Sequence, residues 1–330
     1  MTSVAYQLVG ERVDRHRFPP VGKLVNVHGK RVHVWCEGDH GPTVVVATGI
    51  GSTCLEWATV QRQLVPGHRV LLYDRGGLGW SDWVPGRRSP AELADELHAV
   101  LEAADAPGPY VLVGHSLGGS IIRMYAARHP DQVAGLVLVD SSHELSTDKI
   151  VEEFGWRMGD YSRWKRAITR YLLRPRGIER ARVRLLGYRY YHDWAEKEVP
   201  ADLVETSVAL DLTSRRRRAV VAEMLHNGAA SKDAMATERR HFGDLPLTVI
   251  TRGHNPVNAY AVSDDPVFQR RWMKIWMPLQ QDLATLSHNS RHIIADNAGH
   301  NIHLDEPDLV GKAIKDMCDE IRATMSSNRP

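Results

Sequence analysis

A serine at the centre of a Gly-x-Ser-x-Gly segment, Ser116, is the clearest chemical feature of the sequence. Apolar residues at 110–113 predict a buried strand before it, and residues 120–128 predict a helix after it. A turn that sharp forces the residues two before and two after the serine together, so only Gly114 and Gly118 fit. The turn lifts the hydroxyl clear of the sheet as a nucleophile, although a tight turn with an idle serine has the same spacing.

A serine hydroxyl becomes a strong nucleophile only when a neighbouring base takes its proton. Among 17 histidines, His300 has the position that such a base requires, because it ends the loop after the last predicted strand, at 292–295. Loops at the carboxyl ends of parallel strands gather at one edge of a sheet, where Ser116 also lies. His303 is the alternative, and its position in the same loop favours a packing role.

The third group should be a carboxylate that orients the histidine and stabilises its charged form. The strand predicted at 247–251 is followed by residues 252–256, which hold no carboxylate. Asp140 closes the strand after the nucleophile helix, so we expect it at the same edge of the sheet and assign it as the acid. Asp264 and Asp265 are the alternatives, and a role as helix cap or loop anchor stays open for Asp140.

A tetrahedral intermediate needs two backbone N–H donors for its oxyanion. One is predicted at Leu117, the residue after the nucleophile. The other is predicted at Ile50, because glycines flank it in the loop 48–52 that follows the buried strand 43–47. A simple connector would also fit this loop, but it lacks the glycine and lysine spacing of a phosphate-binding or dinucleotide-binding loop.

Strands and helices alternate up to residue 143 and again from residue 241, which predicts an α/β fold with a parallel sheet covered by helices on both faces. Residues 144–240 interrupt this pattern with helical, arginine-rich sequence. We therefore predict a core of residues 1–143 and 241–330, with residues 144–240 inserted as a helical cap. The four arginines at 215–218 suit an anionic substrate or an acidic surface, but such runs are more often solvated helix faces.

The composition argues against several classes of protein. A net charge of +2 over 330 residues provides no field for nucleic acid or a membrane surface. Three distant cysteines predict neither a disulfide framework nor a zinc site, and they fit the reducing cytoplasm. The charged first twenty residues contain no signal-peptide core, and no apolar run is long enough to insert into a membrane. We expect no cofactor and no metal.

The chain resembles the α/β-hydrolase superfamily in several separate motifs that follow one another in the expected order. These motifs are Thr48-Gly49-Ile50-Gly51 with Trp57 downstream, Asp74-Arg75-Gly76-Gly77-Leu78-Gly79-Trp80-Ser81, Gly114-His115-Ser116-Leu117-Gly118-Gly119, Leu136 to Asp140, and Ala298-Gly299-His300. With their flanking elements they extend from about residue 24 to residue 321, apart from the insertion. The resemblance implies a mostly parallel sheet of about eight strands, a cofactor-free Ser–His–acid triad and a helical cap over the site.

Two positions depart from the pattern of this family. Thr48 stands in the oxyanion loop where many relatives carry histidine, and the usual acid position after Thr251 is vacant. The vacancy resembles the minority of the superfamily whose acid follows the strand after the nucleophile helix, which supports Asp140. Dehalogenase and epoxide-hydrolase relatives use an aspartate as nucleophile, so Ser116 disfavours those chemistries.

These residues together predict a serine hydrolase that cleaves a carboxylic ester of a small molecule through an acyl-serine intermediate. Lactones and thioesters would react by the same mechanism. Trp57 and His115, which lie close to the loop and the nucleophile in sequence, are predicted to contact the substrate, although aromatic residues more often pack the core. Two alternatives remain, namely a slow or non-catalytic ligand-binding protein on a hydrolase fold and a hydrolase of amide or carbon–carbon bonds.

Overall fold

The computed structural model describes residues 3–155, 177–187, 199–227, 229–253 and 266–327. Within these residues the backbone forms one sheet of eight strands with helices on both faces, which confirms the predicted fold class. The strands are β1 (Lys23–Val27), β2 (Lys30–Glu37), β3 (Thr43–Ala47), β4 (Val70–Tyr73), β5 (Tyr110–His115), β6 (Val133–Val139), β7 (Leu247–Arg252) and β8 (Ser290–Ala295). Their order in the sheet is β1-β2-β4-β3-β5-β6-β7-β8. The pairs β1–β2 and β2–β4 are antiparallel, and the other neighbours are parallel.

The helices in the described residues cover the sheet or fill the insertion between β6 and β7. They are α1 (Ser3–Arg17), α2 (Ala58–Leu64), α3 (Pro90–Ala103), α4 (Leu117–Arg128), α5 (Ser146–Phe154), α6 (Ile178–Leu186), α7 (Val204–Asp211), α8 (Ser214–His226), α9 (Ala229–Thr237), α10 (Pro266–Ala284), α11 (Ile302–Asp305) and α12 (Pro307–Ser327). Short 3₁₀ turns span Cys54–Trp57, Pro130–Gln132 and Ala201–Leu203. None of these helices is long and apolar enough to span a bilayer.

The central strands are buried on both faces, because alternate side chains enter two different hydrophobic clusters. Val44 and Val46 of β3 lie in the cluster beneath α2 and α12, whereas Val45 lies in the cluster beneath α3 and α4. A strand covered on both sides needs apolar residues at every position, which is why these strands read as continuous apolar runs in the sequence.

Helix α1 is an element that the sequence analysis did not predict. Its contacts with α6 are polar, since Arg180 donates to Gln7 Oε1 at 3.2 Å and pairs with Asp14. Apolar periodicity is the main signal for a helix, and a helix held by polar contacts gives little of it.

The carboxyl ends of the parallel strands bring distant parts of the chain to one edge of the sheet. His115 of β5 lies opposite Val139 of β6, and Val139 lies opposite Ile250 of β7. Arg252, at the end of β7, lies opposite Ala295 of β8. The loops that follow these strands therefore emerge side by side, as expected for a binding site in an open α/β sheet.

Candidate active site

Ser116 lies where β5 passes into α4, and its backbone adopts φ +52° and ψ −117°. A Cβ at Gly114 would lie 2.5 Å from the carbonyl oxygen of Gly118. A Cβ at Gly118 would lie 1.9 Å from the carbonyl oxygen of Ala47. The turn therefore requires glycine on both sides, and it holds the serine in a strained conformation at the edge of the sheet.

His300 and Asp140 meet at this edge, where Nδ1 of the histidine lies 2.6 Å from Oδ2 of the aspartate. Because a carboxylate only accepts, Nδ1 carries the proton, and Nε2 of the neutral ring is left to accept one. Asp140 follows β6 with φ +42°. Its side chain is fully buried, whereas 21% of the His300 side chain is exposed. The structure thus brings the predicted base and the predicted acid into contact, in two loops at the edge of the sheet where Ser116 also lies.

The structure describes the alternative base, His303, but not the alternative acids, Asp264 and Asp265. His303 is buried and stacks on Trp57 with ring centroids 4.4 Å apart. Burial lowers the pKa of His303 well below its ordinary value, and neither ring nitrogen has a hydrogen-bond partner among the described residues. His303 therefore has the packing role that the sequence favoured.

Two side chains that the sequence analysis missed bind the carboxylate of Asp140. A guanidinium nitrogen of Arg252 lies 2.7 Å from Oδ2, and the Trp276 indole N–H donates to Oδ1 at 2.7 Å. Arg252 also lies over the Trp276 ring, 4.9 Å from the centroid. The sequence offered one signal for this arrangement, since Arg252 is a charged residue at the end of a buried strand.

The pKa values of the acid and the base follow from these contacts. Burial raises the pKa of Asp140, but the charge of Arg252 and the hydrogen bonds from His300 and Trp276 outweigh burial and lower the pKa overall. Burial lowers the pKa of His300, the hydrogen bond to Asp140 opposes that effect, and the charge of Arg252 adds to it. The aspartate is therefore an anion and the histidine a neutral base at pH 7.

The two predicted oxyanion donors belong to the helix that follows Ser116 and to the loop 48–52. Leu117 is the first residue of α4, where a helix leaves its N–H groups without an intrahelical acceptor. The Ile50 amide donates no hydrogen bond within the described part of the chain. A Cβ at Gly49 would lie 3.5 Å from Cβ of Ser116, which places the start of this loop against the nucleophile.

A second pair that sequence reasoning missed, Arg75 and Glu223, lies beneath the loop 48–52. The two form an ion pair in which an arginine nitrogen lies 2.7 Å from a carboxylate oxygen, and both side chains are buried. Glu223 belongs to α8, in the insertion. Its partner is part of the Asp-Arg-Gly-Gly motif, but nothing in the sequence indicates which of 40 acidic residues would reach it.

His115 and Trp57, the predicted substrate contacts, are both buried. His115 donates from Nε2 to the carbonyl oxygen of His300 at 2.9 Å, and burial lowers its pKa to about 3. Trp57 packs in the core against His303. A substrate contact for either residue stays a prediction.

Within the described residues, His33, Cys54 and Asp74 form one group close enough to hold a metal ion. The carboxylate of Asp74 is already engaged, since His33 Nδ1 lies 2.8 Å from Oδ2 and the Cys54 amide donates to Oδ1 at 2.9 Å. We interpret the group as a buried hydrogen-bond cluster that fixes the 3₁₀ turn beginning at Cys54.

The run of arginines at 215–218 lies on α8. Arg215 donates to the carbonyl oxygen of Gly79, and Arg216 pairs with Asp211 at 2.9 Å. At least these two side chains are therefore engaged with the protein and do not form the purely solvated face that the sequence favoured.

Comparisons with known proteins agree with this architecture. Residues 42–178 match the family model for the alpha/beta hydrolase fold. An "AB hydrolase superfamily protein" from Gibberella zeae is 26% identical over 292 residues, which cover 83% of this chain and 85% of that protein.

Solved structures give the same result at lower sequence identity. A thermophilic esterase from Thermogutta terrifontis superposes with a TM-score of 0.58 at 18% identity, over 90% of this chain and 97% of that one. A protein from Pseudomonas aeruginosa provisionally assigned as an epoxide hydrolase superposes with a TM-score of 0.63 at 18% identity, over 93% of this chain and 98% of that one. Such likeness establishes the fold and leaves the reaction to be argued from the site.

Proposed function

Because the chain belongs to the α/β-hydrolase superfamily, we propose that it is a serine hydrolase that cleaves carboxylic esters of small molecules through an acyl-serine intermediate. The observation that carries the proposal is the 2.6 Å contact between His300 and Asp140, at the sheet edge where the strained Ser116 lies. A base held in one tautomer by a buried carboxylate is what a serine nucleophile requires. Lactones and thioesters fit the same machinery.

In the acylation step, Nε2 of His300 takes the proton of Ser116 as Oγ bonds to the ester carbonyl carbon. The carbonyl electron pair moves to oxygen, and the amides of Ile50 and Leu117 donate to the resulting oxyanion. Collapse of the intermediate breaks the bond to the alcohol, which leaves with the proton from His300. Asp140 holds the ring and stabilises its charged form throughout.

Deacylation repeats the sequence with water as the nucleophile. His300 takes one proton from water while the water oxygen bonds to the acyl carbon. The second tetrahedral intermediate uses the same two amides, and its collapse releases Ser116 Oγ, which regains its proton from His300. The products are a carboxylic acid and an alcohol, and the protein returns to its starting state without a cofactor.

We also propose that residues 144–240 form a helical cap on a core of residues 1–143 and 241–330. Support comes from α8 of this insertion, whose Val220 packs against Gly51 of the loop beside Ser116. The three cysteines are free, which suits a reducing compartment, and we propose the cytoplasm.

The test is labelling by a fluorophosphonate together with hydrolysis of p-nitrophenyl esters from short to long acyl chains. Wild-type protein should label and turn over, and Ser116→Ala should lose labelling and about 10⁴-fold or more of kcat. Ser120→Ala is the matched control, because Ser120 lies buried in the same helix and should not affect either readout.

Two results would change the proposal. If wild-type protein neither labels nor hydrolyses any ester, a ligand-binding role on the same fold takes its place. If Ser116 labels but no ester reacts, the nucleophile stands and the substrate class does not, and product analysis with amides and with substrates of carbon–carbon hydrolysis decides.

A further inference from the structure

Helix α8 of the insertion lies directly against the predicted oxyanion loop, residues 48–52. Gly51 has φ +70°, and a Cβ there would lie 2.8 Å from a methyl carbon of Val220. A Cβ at Gly77, in the neighbouring glycine-rich loop, would lie 2.9 Å from Cβ of Ala219. The close approach of α8 to both loops therefore requires glycine in each of them.

A buried, two-pronged ion pair crosses this contact. Arg75 Nε lies 2.7 Å from Glu223 Oε1, and Arg75 Nη2 lies 3.0 Å from Oε2. The two side chains are 1% and 0% exposed. A desolvated, bidentate pair of this kind has one favoured geometry, so it fixes the position of whatever else it binds.

What the pair binds is the backbone of the loop. Arg75 Nη1 donates to the carbonyl oxygen of Thr48 at 2.7 Å, and Nη2 donates to that of Gly49 at 2.6 Å. Glu223 Oε2 accepts from the Gly51 amide at 2.9 Å. The pair thus holds a carbonyl group and an amide group on the two sides of Ile50.

The carbonyl of Gly49 and the amide of Ile50 belong to a single peptide unit. A peptide unit is planar and its C=O and N–H point in opposite directions, so fixing the oxygen fixes the direction of the N–H. Arg75 therefore aims the Ile50 amide through the Gly49 oxygen, and Glu223 fixes the peptide unit that follows.

Thr48 also binds Arg75, which gives a reason for a threonine at the position where many relatives of the family carry histidine. Its hydroxyl oxygen accepts from Arg75 Nη1 at 2.9 Å and donates to the carbonyl oxygen of Ser52 at 3.0 Å. The hydroxyl thus bridges the arginine and the far end of the loop.

We propose that Glu223 and Arg75 are positioning residues that aim the Ile50 amide at the oxyanion, so that the insertion supplies part of the catalytic centre as well as lying over it. The inference rests on the proposed function, because it takes Ile50 as an oxyanion donor. Neither residue touches the substrate, and both act through the loop backbone.

The main test is Glu223→Gln, which keeps the shape of the side chain and removes its charge. Loss of an oxyanion donor lowers kcat by about 10²–10³-fold, so a misaimed donor should lower kcat for p-nitrophenyl butyrate by about 10–100-fold. KM should change by less than about threefold, because the planar ester does not yet carry the oxyanion.

A tetrahedral probe separates aiming from general damage to the pocket. Phenylboronic acid bound to Ser116 carries a tetrahedral anionic centre, so its affinity should fall in Glu223→Gln by about the same factor as kcat. Inhibition by butyramide should stay within about twofold, because its neutral, planar carbonyl group does not carry the oxyanion that the aimed amide stabilises.

Glu238→Gln is the matched control. Glu238 also belongs to the insertion and also forms a bidentate pair with a core arginine, Arg128, at 2.8 and 2.7 Å. It does not contact the oxyanion loop, so kcat and boronate affinity should both stay at wild-type values in this variant.

If Glu223→Gln does not fold, Thr48→Val can be tested in its place, because it removes the hydroxyl that bridges Arg75 and Ser52. It should lower kcat and boronate affinity in the same way, and Thr48→Ser, which keeps the hydroxyl, should restore both. The inference is wrong if the wild-type protein is active and Glu223→Gln has the same kcat and the same boronate affinity. It is also wrong if the affinities for the boronate and for butyramide fall by the same factor. If the wild type is neither labelled nor active, the proposed function itself fails, which is a separate result.

Discussion

The two halves of the candidate site are held in place by different parts of the chain. Asp140 and His300 follow core strands and Arg252 ends one, so the acid–base half is assembled at the edge of the sheet. The oxyanion half depends on Glu223, which lies in the insertion between β6 and β7. The acid and the base are therefore held by the core alone, whereas the loop that carries Ile50 is held jointly by Arg75 of the core and Glu223 of the insertion.

Both halves contain a buried arginine–carboxylate pair, but the pairs do different work. In the acid–base half the carboxylate acts on the histidine, and Arg252 changes the charge that the histidine experiences. In the oxyanion half the carboxylate and Arg75 both bind backbone groups of a loop. Changes to the first pair should therefore move the pH dependence, and changes to the second should alter only the rate.

Asp140→Asn should have the largest effect of the substitutions in the acid–base half. An amide stabilises the charged ring poorly and also favours the wrong tautomer of His300, because its NH₂ can donate to Nδ1. We expect kcat for p-nitrophenyl butyrate to fall by about 10⁴-fold, as for other triads that lose their acid.

Asp282→Asn is the control for this substitution. Asp282 also accepts from a histidine and an arginine, with His143 Nε2 and Arg239 Nη2 both at 2.7 Å, but among the described residues it has no hydrogen bond to Ser116 or His300. Its replacement should leave kcat within about twofold of wild type. A collapse of activity in Asp265→Asn together with a nearly normal Asp140→Asn would show that the acid was assigned wrongly.

Arg252→Met should move the acid limb of the pH profile. The base works when neutral, so activity rises as pH passes upward through the pKa of His300. Arg252 lowers that pKa, and its removal should raise it and shift the limb to higher pH. The plateau of kcat should also fall about 10-fold, because Asp140 loses one of its anchors. The measurement is kcat/KM for p-nitrophenyl butyrate between pH 4 and pH 9.

Glu223→Gln makes this prediction sharper, because it disturbs the other half of the site. Its profile should be lower than that of the wild type at every pH, with the acid limb in the same place. If Glu223→Gln shifts the limb as far as Arg252→Met does, the two halves are coupled and the division between them fails.

The sequence predicted those features that depend on short-range physics. Gly114 and Gly118 indicated the elbow because a turn of that sharpness excludes side chains, and the structure has the close contacts that explain them. Asp140 and His300 were found because each closes or follows a parallel strand, and parallel strands deliver their ends to one edge. The parallel sheet covered by helices followed from the same alternation of strands and helices, whereas the number of strands, about eight, was implied by the family resemblance.

The parts that the sequence missed depend on polar contacts between residues that are far apart in the sequence. Glu223 lies 148 positions from Arg75, and Trp276 lies 136 positions from Asp140. An arginine-rich helix such as α8 presents many charges, and no local pattern selects the one that turns inward. Helix α1 was missed for a related reason, since its contacts with α6 are polar and leave no apolar stripe.

Trp276→Phe should have the smallest of these effects, because it removes one donor from Asp140 and keeps an aromatic face for Arg252. A hydrogen bond to a charged group contributes about 1.5–3 kcal/mol, and part of that loss should appear as a fall in kcat of about 3- to 10-fold. The control is Trp272→Phe, one turn earlier in α10, whose indole N–H has no hydrogen-bond partner among the described residues. The two variants remove the same atoms from stacked rings, so a difference in kcat measures the bond to Asp140. Equal activity in both would mean that His300 and Arg252 suffice to hold the carboxylate, and that the acid–base half depends on charge rather than on the indole.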